Sequence, residues 1–587
     1  MPIGCFNSLL SLLRISSSYK DVRKVNMGSF FRMLAVNNAD LFAIYVLEVM
    51  VTYLTNDWNL SLTRATAIIN IFVGARDMLL VGMVFIVDTF LGYHHVFLIS
   101  AILNCLGMIL LSLSSAPILS KEISDTQKGL YYTALPLLAI GYAGHAASYQ
   151  RSLESQIDRE ITYEDLWKNI YTGLKIMAVI ICDYRLIIKS YKFIGGVATY
   201  LLSHVGGFAI QFVKSWALRF GIATIFVTVA TLLYLTGIAS YRKGTPRGSP
   251  LTTFFRVVVA SCSKNSYTLS PDANQLYHEN VLPSIPHTDR LRCLDRAAII
   301  VPNSTLEEQK LNRWKLCSVT EVEEAKVFFF MLPLWINFAM CGVVTSIGGT
   351  YFMEQGNQMN PYLGKLKLPL FTLVVFHKLG ETLFSFICGM VRDKVRENRR
   401  KYVAPIGMAV AMLCSILCCI TAAAVERRRL DVVKRYELVE KTKDKSTIPM
   451  TMFWLIPQYV FLSALNGISS YCSTRFFNDQ APESVSNYLV DITLGVTGAG
   501  IMGSVVTVYA VGKVSEIGGN PSWFQDTINK SRLDNYYWSL ASLSSINLVL
   551  YALLALKFLY RNSTKSEMEP PEEGTVTEDT KCLDCFN

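Results

Sequence analysis

The chain has 587 residues, of which 51% are hydrophobic and only 17% charged, with a mean hydropathy of +0.33. Soluble proteins carry roughly 25% charged residues, so this composition excludes an ordinary soluble globule and points to a chain whose solvent is largely lipid. The net charge of +10 does not indicate nucleic acid, because the basic residues sit beside apolar runs, where Lys and Arg hold loops on the cytoplasmic side.

Residues 1–31 read as a cytoplasmic segment. Their apolar patch, Leu9 to Leu13, is too short to span and is followed by Arg14, Lys20, Arg23 and Lys24, so it does not read as a cleavable signal. Apolar runs of spanning length follow at about 32–55, 66–90, 95–114, 129–150, 192–213 and 217–238. A polar central loop, 239–325, then divides the chain. Six more runs lie near 326–349, 366–390, 403–424, 450–472, 489–513 and 535–558, before an acidic cytoplasmic tail at 559–587. The expected fold is therefore an all-α membrane protein with twelve transmembrane helices in two six-helix halves, 32–238 and 326–558, the arrangement of the major facilitator fold.

Loop charge agrees with cytoplasmic termini at the basic run from Arg392 to Lys401 and disagrees at Glu426-Arg427-Arg428-Arg429, which falls on the expected outside. Residues 163–190 are apolar but broken by Lys175, Asp183, Arg185 and Lys189, and read as an insertion lying at the interface. Most of the fourteen cysteines fall in apolar runs and read as buried thiols. Cys582 and Cys585 form a lone CxxC with no second pair or histidine near it, so no zinc site is expected. No P-loop, HExxH or GxSxG occurs, and the expectation is a non-enzyme without cofactor or metal. Asn59-Leu60-Ser61 and Asn529-Lys530-Ser531 are sequons on the expected outer loops.

Nine segments, in order, resemble the plant nitrate/peptide transporter family, a branch of the proton-dependent oligopeptide transporters. They are SWALRFGI (215–222), GSPLT (248–252), HTDRLRCLDRAA (287–298), WKLCSVTEVEEAK (314–326), EQGNQM (354–359), VERRRL (425–430), FWLIPQYV (453–460), FFNDQAPES (476–484) and LDNYYW (533–538). The resemblance implies a twelve-helix secondary transporter working by alternating access. It also identifies the segment from Lys192 to Gly196 as the start of the fifth helix, leaving 163–190 as extra sequence.

The chain departs from that family where protons are handled. The family's ExxER motif in the first helix falls on Val36-Asn37-Asn38-Ala39-Asp40, without either glutamate or the arginine. GGHKPC in the fourth helix becomes Ala143-Gly144-His145-Ala146-Ala147-Ser148, and the glutamate usual in the tenth helix falls on Asn466. A proton carrier needs a group that changes charge between its two states, so inherited proton coupling is in doubt.

Ionisable residues at membrane depth are functional candidates because desolvating a charge is costly. Glu48 is either a relocated proton site or a paired carboxylate near the outer end. Arg76 and Asp77 are adjacent, so their side chains diverge by about 100° and need different partners; Arg76 either attracts an anion or joins a structural pair. His145 either binds an anion when protonated or is a neutral hydrogen-bonded ring. Trp335, Asn337, Gln458 and Asn466 suit hydrogen bonding to a ligand or between helices. His377 and Glu381, one turn apart, read as an interhelical latch, and Asp491 as structural. Asp88 and Gly92 resemble the DxxxG gating remnant, whose aspartate can face a helix N-terminus, although Tyr93 replaces the arginine that follows it.

The expected function is transport of a small polar or anionic solute (nitrate, peptide or metabolite), with protons as a possible second partner and no nucleic acid. Nitrate heads the list because Arg76 and His145 offer positive charge in a cavity stripped of acids. The alternative is a non-transporting sensor, scaffold or decayed member. The expected location is the plasma or vacuolar membrane, with the oligomeric state open.

Overall fold

The computed structural model describes residues 27–116, 124–157, 202–241, 244, 246, 248–267, 276–278, 287–288, 291–301, 305–437 and 448–566. The 163–190 segment, the start of the fifth helix, most of the acidic tail and the Cys582–Cys585 pair lie outside them. The described residues are all-α apart from an isolated bridge between Leu276 and Ile299 and two short strand pairings, Met359–Asn360 with Ile448–Thr451 and Tyr362–Leu363 with Leu366–Lys367.

The first half contains α1 (Met27–Leu47), α2 (Met50–Asn56), α3 (Leu62–Ile86), α4 (Gly92–Ser114), α5 (Asp125–Ile157) and α6 (Trp216–Leu235), with helical residues 202–210 before α6. The amphipathic α7 (Pro250–Ser263) lies in the central loop. The second half contains α8 (Val319–Gly349), α9 (Tyr351–Gln358), α10 (Phe371–Lys394), α11 (Glu397–Arg435), α12 (Ile456–Gln480), α13 (Glu483–Ser515) and α14 (Leu533–Ser566). Every expected span thus meets a helix, the fifth only over 202–210.

Among the described residues, eight stretches are long and apolar enough to cross a membrane, and one of them, Leu62–Ser114, holds both α3 and α4. The long helices α5 and α12 are absent from that set. Their sequences are interrupted by Tyr142, His145 and Ser148, and by Gln458, Ser463 and Asn466, all enclosed by neighbouring helices or facing the interior. By contrast α6 turns Leu218, Ile225, Phe226, Val229 and Leu232 outward, as a helix facing lipid does.

Within the first half α4 packs on α5, α3 on α5 and α1 on α6; within the second, α11 packs on α12 and α14, and α10 on α12. The halves meet most extensively where α3 crosses α13. A Cβ on Gly74 would lie 2.6 Å from the Gly498 carbonyl oxygen, and one on Gly498 2.6 Å from Cβ of Asp77. Only hydrogen side chains allow backbones so close, the usual device of helix contacts in lipid.

α8 starts with a capping box: the Ser318 hydroxyl accepts from the Glu321 N–H and the Glu321 carboxylate from the Ser318 N–H. Below it the central loop docks through Val257, Ala260, Leu294 and Ala297 against Val319, Val322 and Ala325. Lys326, 3% exposed, donates to Glu323 at 2.8 Å and to the Thr288 carbonyl at 2.8 Å, and sits 2.7 Å from Asp295. These buried charges fix the loop to the base of α8.

α11 has 39 residues, about 58 Å at 1.5 Å per residue, far longer than a hydrocarbon core of about 30 Å. Its far end carries the basic run that conflicted with the loop-charge pattern. Arg429 is fully buried, donates to both oxygens of Glu426 at 2.7 and 2.8 Å, and donates to Asn529 Oδ1 at 2.6 Å and to the Ile528 carbonyl at 3.1 Å. Arg428 stacks over Trp454 at 4.1 Å. Arg429 is therefore engaged inside the protein while Arg428 stacks at its surface, and the Asn529 amide of the second sequon is engaged with Arg429.

Candidate functional site

Midway along the helices, between the halves, lies a cavity of about 300 Å³. Glu48, Asn70, Arg76, Asp77 and Tyr142 line it from the first half; His377, Lys378, Glu381, Tyr459 and Asn466 line it from the second. Among the described residues its ionisable wall thus holds three carboxylates and two cations. That corrects the expectation of a cavity stripped of acids: the family's glutamates are missing from their usual places, but Glu48, Asp77 and Glu381 are present at others.

Glu48 reaches the cavity through a backbone interruption. α1 ends at Leu47 and α2 begins at Met50, with Val49 at φ −104°, ψ 13°. The Glu48 N–H still bonds to the Ile44 carbonyl, so the break falls just after it. Its carboxylate lies in the fields of Arg76 and of Lys378, one cation from each half.

Arg76 and Asp77 do not diverge as expected. Arg76 Nε donates to Asp77 Oδ1 at 2.8 Å, with the two side chains 27% and 25% exposed. The long arginine stem folds back far enough to cancel the 100° offset of neighbouring helical residues. Lys378 pairs with Glu381 at 3.4 Å on α10. His377 joins α10 to α12: Nδ1 is 3.0 Å from the Ser463 hydroxyl and Nε2 is 3.4 Å from Asn466 Nδ2. Asn466 Oδ1 accepts from Thr345 at 2.9 Å. His377 therefore bridges helices, whereas Glu381 bonds within its own helix.

The other sequence candidates are placed elsewhere. Trp335 Nε1 donates to Thr493 at 3.1 Å and Asn337 Nδ2 to the Pro333 carbonyl at 3.0 Å, both residues buried. Gln458 donates to Gln355, which donates to Glu426, so it belongs to the Arg429 cluster. His145 faces Asp40 inside the first half. None of these four lines the cavity.

Hydrogen bonds join the halves at both ends of the cavity. At one end Thr55 donates to Glu354 at 3.0 Å, Asn56 and Asn357 exchange bonds, and Thr66 donates to Tyr351 at 3.3 Å. At the other end Asp88, in a π-turn at Val87–Leu91, accepts from Arg151 of its own half at 2.6 Å and from Tyr488 of the opposite half at 2.5 Å. Gly92 closes that turn at φ +72°, and a Cβ there would strike the Gly244 carbonyl. Asp491 lies in the fields of Arg151 and Asp88. Sequence reasoning missed Tyr488 because nothing in its local pattern marks a partner 400 residues away. It passed over Asp40 as only the slot of a lost arginine.

The description "POT family" fits a family model that matches residues 194–524. Protein NRT1/PTR family 5.5 of Arabidopsis thaliana is 36% identical over 89% of this chain and 95% of its own length. Protein NRT1/PTR family 5.4 of the same plant is 27% identical over 90% and 94%. Among solved structures, an auto-inhibited POT family peptide transporter superposes with a TM-score of 0.57 at 14% identity, covering 90% of this chain and 96% of that one. A POT family transporter in complex with 5-aminolevulinic acid gives 0.55 at 12% identity, with the same coverage. These likenesses show the major facilitator fold, and the family match shows the lineage: the chain belongs to the POT family of nitrate/peptide transporters and is a multi-pass secondary transporter.

Proposed function

We propose that the central cavity carries a small zwitterionic solute, peptide-like or amino-acid-like, by rocking of the two halves around it. The observation that carries this reading is the mixed sign of the wall. Arg76 and Lys378 can receive a carboxylate, while Glu48, which has no directly bonded side-chain partner among the described residues, can receive an ammonium group. Both cations already face carboxylates at 2.8 and 3.4 Å, so a lone anion such as nitrate would compete with Asp77 and Glu381 and leave Glu48 uncompensated. A zwitterion satisfies both signs at once. The relative solved with 5-aminolevulinic acid, a molecule with one amine and one carboxylate, supports the same chemistry.

Alternating access would break one set of end contacts at a time: Thr55–Glu354 and Asn56–Asn357 at one end, Asp88–Tyr488 at the other. Among the described residues each set holds a few hydrogen bonds, worth about 0.5–1.5 kcal/mol net where neutral and about 1.5–3 where Glu354 or Asp88 accepts, within reach of the differential binding energy of a small solute. The membrane would be the plasma or vacuolar membrane, with both termini cytoplasmic.

The test is uptake of radiolabelled dialanine and of nitrate into proteoliposomes. Dialanine should be carried and nitrate should neither be carried nor compete, and Glu48→Gln should lower dialanine uptake at least tenfold. Nitrate uptake that survives Glu48→Gln would reverse the reading in favour of an anion carrier.

A further inference from the structure

An acid–histidine couple is buried inside the first half, off the central cavity. Asp40 on α1, Asn104 on α4, and Tyr142 and His145 on α5 are each more than nine-tenths buried. His145 Nε2 lies 3.2 Å from Asn37 Oδ1. Its Nδ1 lies 2.8 Å from Asp40 Oδ2, without the alignment of a hydrogen bond. Asn104 Nδ2 donates to the same oxygen at 3.0 Å. Four polar atoms around this point have no hydrogen-bond partner among the described residues: Asp40 Oδ1, Asn104 Oδ1, Tyr142 OH and His145 Nδ1.

The ring's two contacts decide what the couple requires. An amide oxygen can only accept, so Nε2 carries a hydrogen toward Asn37. A neutral imidazole then has a lone pair on Nδ1, aimed at a carboxylate oxygen 2.8 Å away. That juxtaposition is repulsive, and at membrane depth little water relieves it. One additional proton on Nδ1 turns it into a charge-assisted bond between imidazolium and carboxylate. Tyr149 stacks on the ring at 5.2 Å and 18°, and Phe97 lies 5.2 Å away; aromatic faces favour the cationic ring.

We propose that Asp40 and His145 form a proton-binding site of the first half, which takes one proton from water onto His145 Nδ1 and holds it against Asp40. The charged or titratable groups facing it are Asp40 on α1, Tyr142 and Tyr149 on α5, and Arg76 on α3, which acts through Tyr142; α4 contributes Asn104 and Phe97, which do not titrate. Tyr142 is the link to the cavity, since it lines that cavity and lies in the fields of both Asp40 and Arg76. Loss of the proton leaves Asp40 and Nδ1 repelling across 2.8 Å, a strain relieved when α1 and α5 separate, when the ring turns, or when the ring hydrogen moves to Nδ1 and the Asn37 amide turns to donate to Nε2. Either of the first two changes alters the cavity wall at Tyr142.

The test uses the full-length protein in lipid nanodiscs with 15N-labelled histidine rings. The signal lost in His145→Gln identifies His145. Its ring should gain and lose one proton as the pH is varied, and Asp40→Asn should lower its proton affinity about tenfold, one pH unit in the midpoint. Asp40→Glu, which keeps the charge, should restore most of the shift. A ring that does not titrate, or a midpoint unmoved by Asp40→Asn, overturns the proposal. The functional consequence rests on the transport reading: His145→Gln should flatten the pH dependence of dialanine uptake. The ring titration needs no substrate, so it fails or succeeds independently of that reading.

Discussion

The Arg429 cluster on α11 and the charges of the central cavity are made of the same groups and built on opposite terms. Arg429 and Glu426 are 0% exposed, and the guanidinium is surrounded by Glu426, Asn529 and the Ile528 carbonyl, with Gln355 and Gln458 behind the carboxylate. Arg76, Asp77, Lys378 and Glu381 keep between 25% and 35% of their side chains exposed, and each pair has a single contact. A sealed cluster whose guanidinium and carboxylate are bonded to each other and to their neighbours has little left to offer a ligand and holds the fold. An open, under-filled cluster contributes little to stability and keeps its field for a solute. The contrast is a way of sorting charge in a membrane protein: count what remains unsatisfied rather than what is buried.

The largest expected effect tests the sealed side. Arg429→Met leaves Glu426 as an uncompensated buried charge and should cost about 3–5 kcal/mol, seen as a lower Tm and reduced folded yield. The double variant Arg429→Met with Glu426→Leu should recover much of that loss. A single variant with unchanged Tm would remove the distinction.

A smaller stability effect and a larger functional one are expected on the open side. Glu381→Gln should shift stability by less than about 1 kcal/mol, as part-exposed pairs do, while dialanine uptake falls about tenfold. Equal loss of Tm in this variant and in Arg429→Met would show that the cavity charges are structural too.

The smallest effect concerns Lys264, a third arrangement: a buried cation held, among the described residues, by the carbonyls of Ala297 and Ile299, at 3.1 and 2.6 Å. Burial lowers its ammonium from 10.5 to about 8. Between those values the unfolded loop binds more protons than the docked loop, so docking gains stability as pH rises from about 8 toward 10.5. Subtilisin should cleave the central loop more slowly at pH 10 than at pH 8 relative to Lys264→Met, which should lack that difference. A wild-type loop cleaved faster at pH 10 on the same scale contradicts the sign.

The spanning helices were legible in the sequence because twenty apolar residues in a row have few other fates. Even the more polar α5 and α12 coincide with expected apolar runs, at 129–150 and 450–472. Less legible was how each helix is rotated. Trp335, Asn337, Gln458 and His145 are polar or aromatic residues on helices that border the cavity or its walls, and periodicity cannot say which turn faces it. Their neighbours Thr493, Gln355 and Asp40 decide that. The break after Glu48 was hidden as well, since Leu47, Val49 and Met50 read as uninterrupted helix. The basic run at Arg427 looked like a loop address because burial of Arg429 depends on Asn529, a hundred residues on.

The crossing of α3 and α13 has a mechanical consequence. Most packed helices mesh side chain into groove and must unmesh to turn. At this crossing Gly74 and Gly498 bring backbone against backbone, and the atoms nearest a Cβ on Gly495 are Val81 Cγ2 and the main chain of Asp77 and Met78. At these glycines the seam therefore has the flat contact that a pivot beside the cavity would need, with the Asn70–Ser504 bond further along as the link a tilt would strain. One methyl group, added as Gly74→Ala or Gly498→Ala, would act as a pin through that bearing.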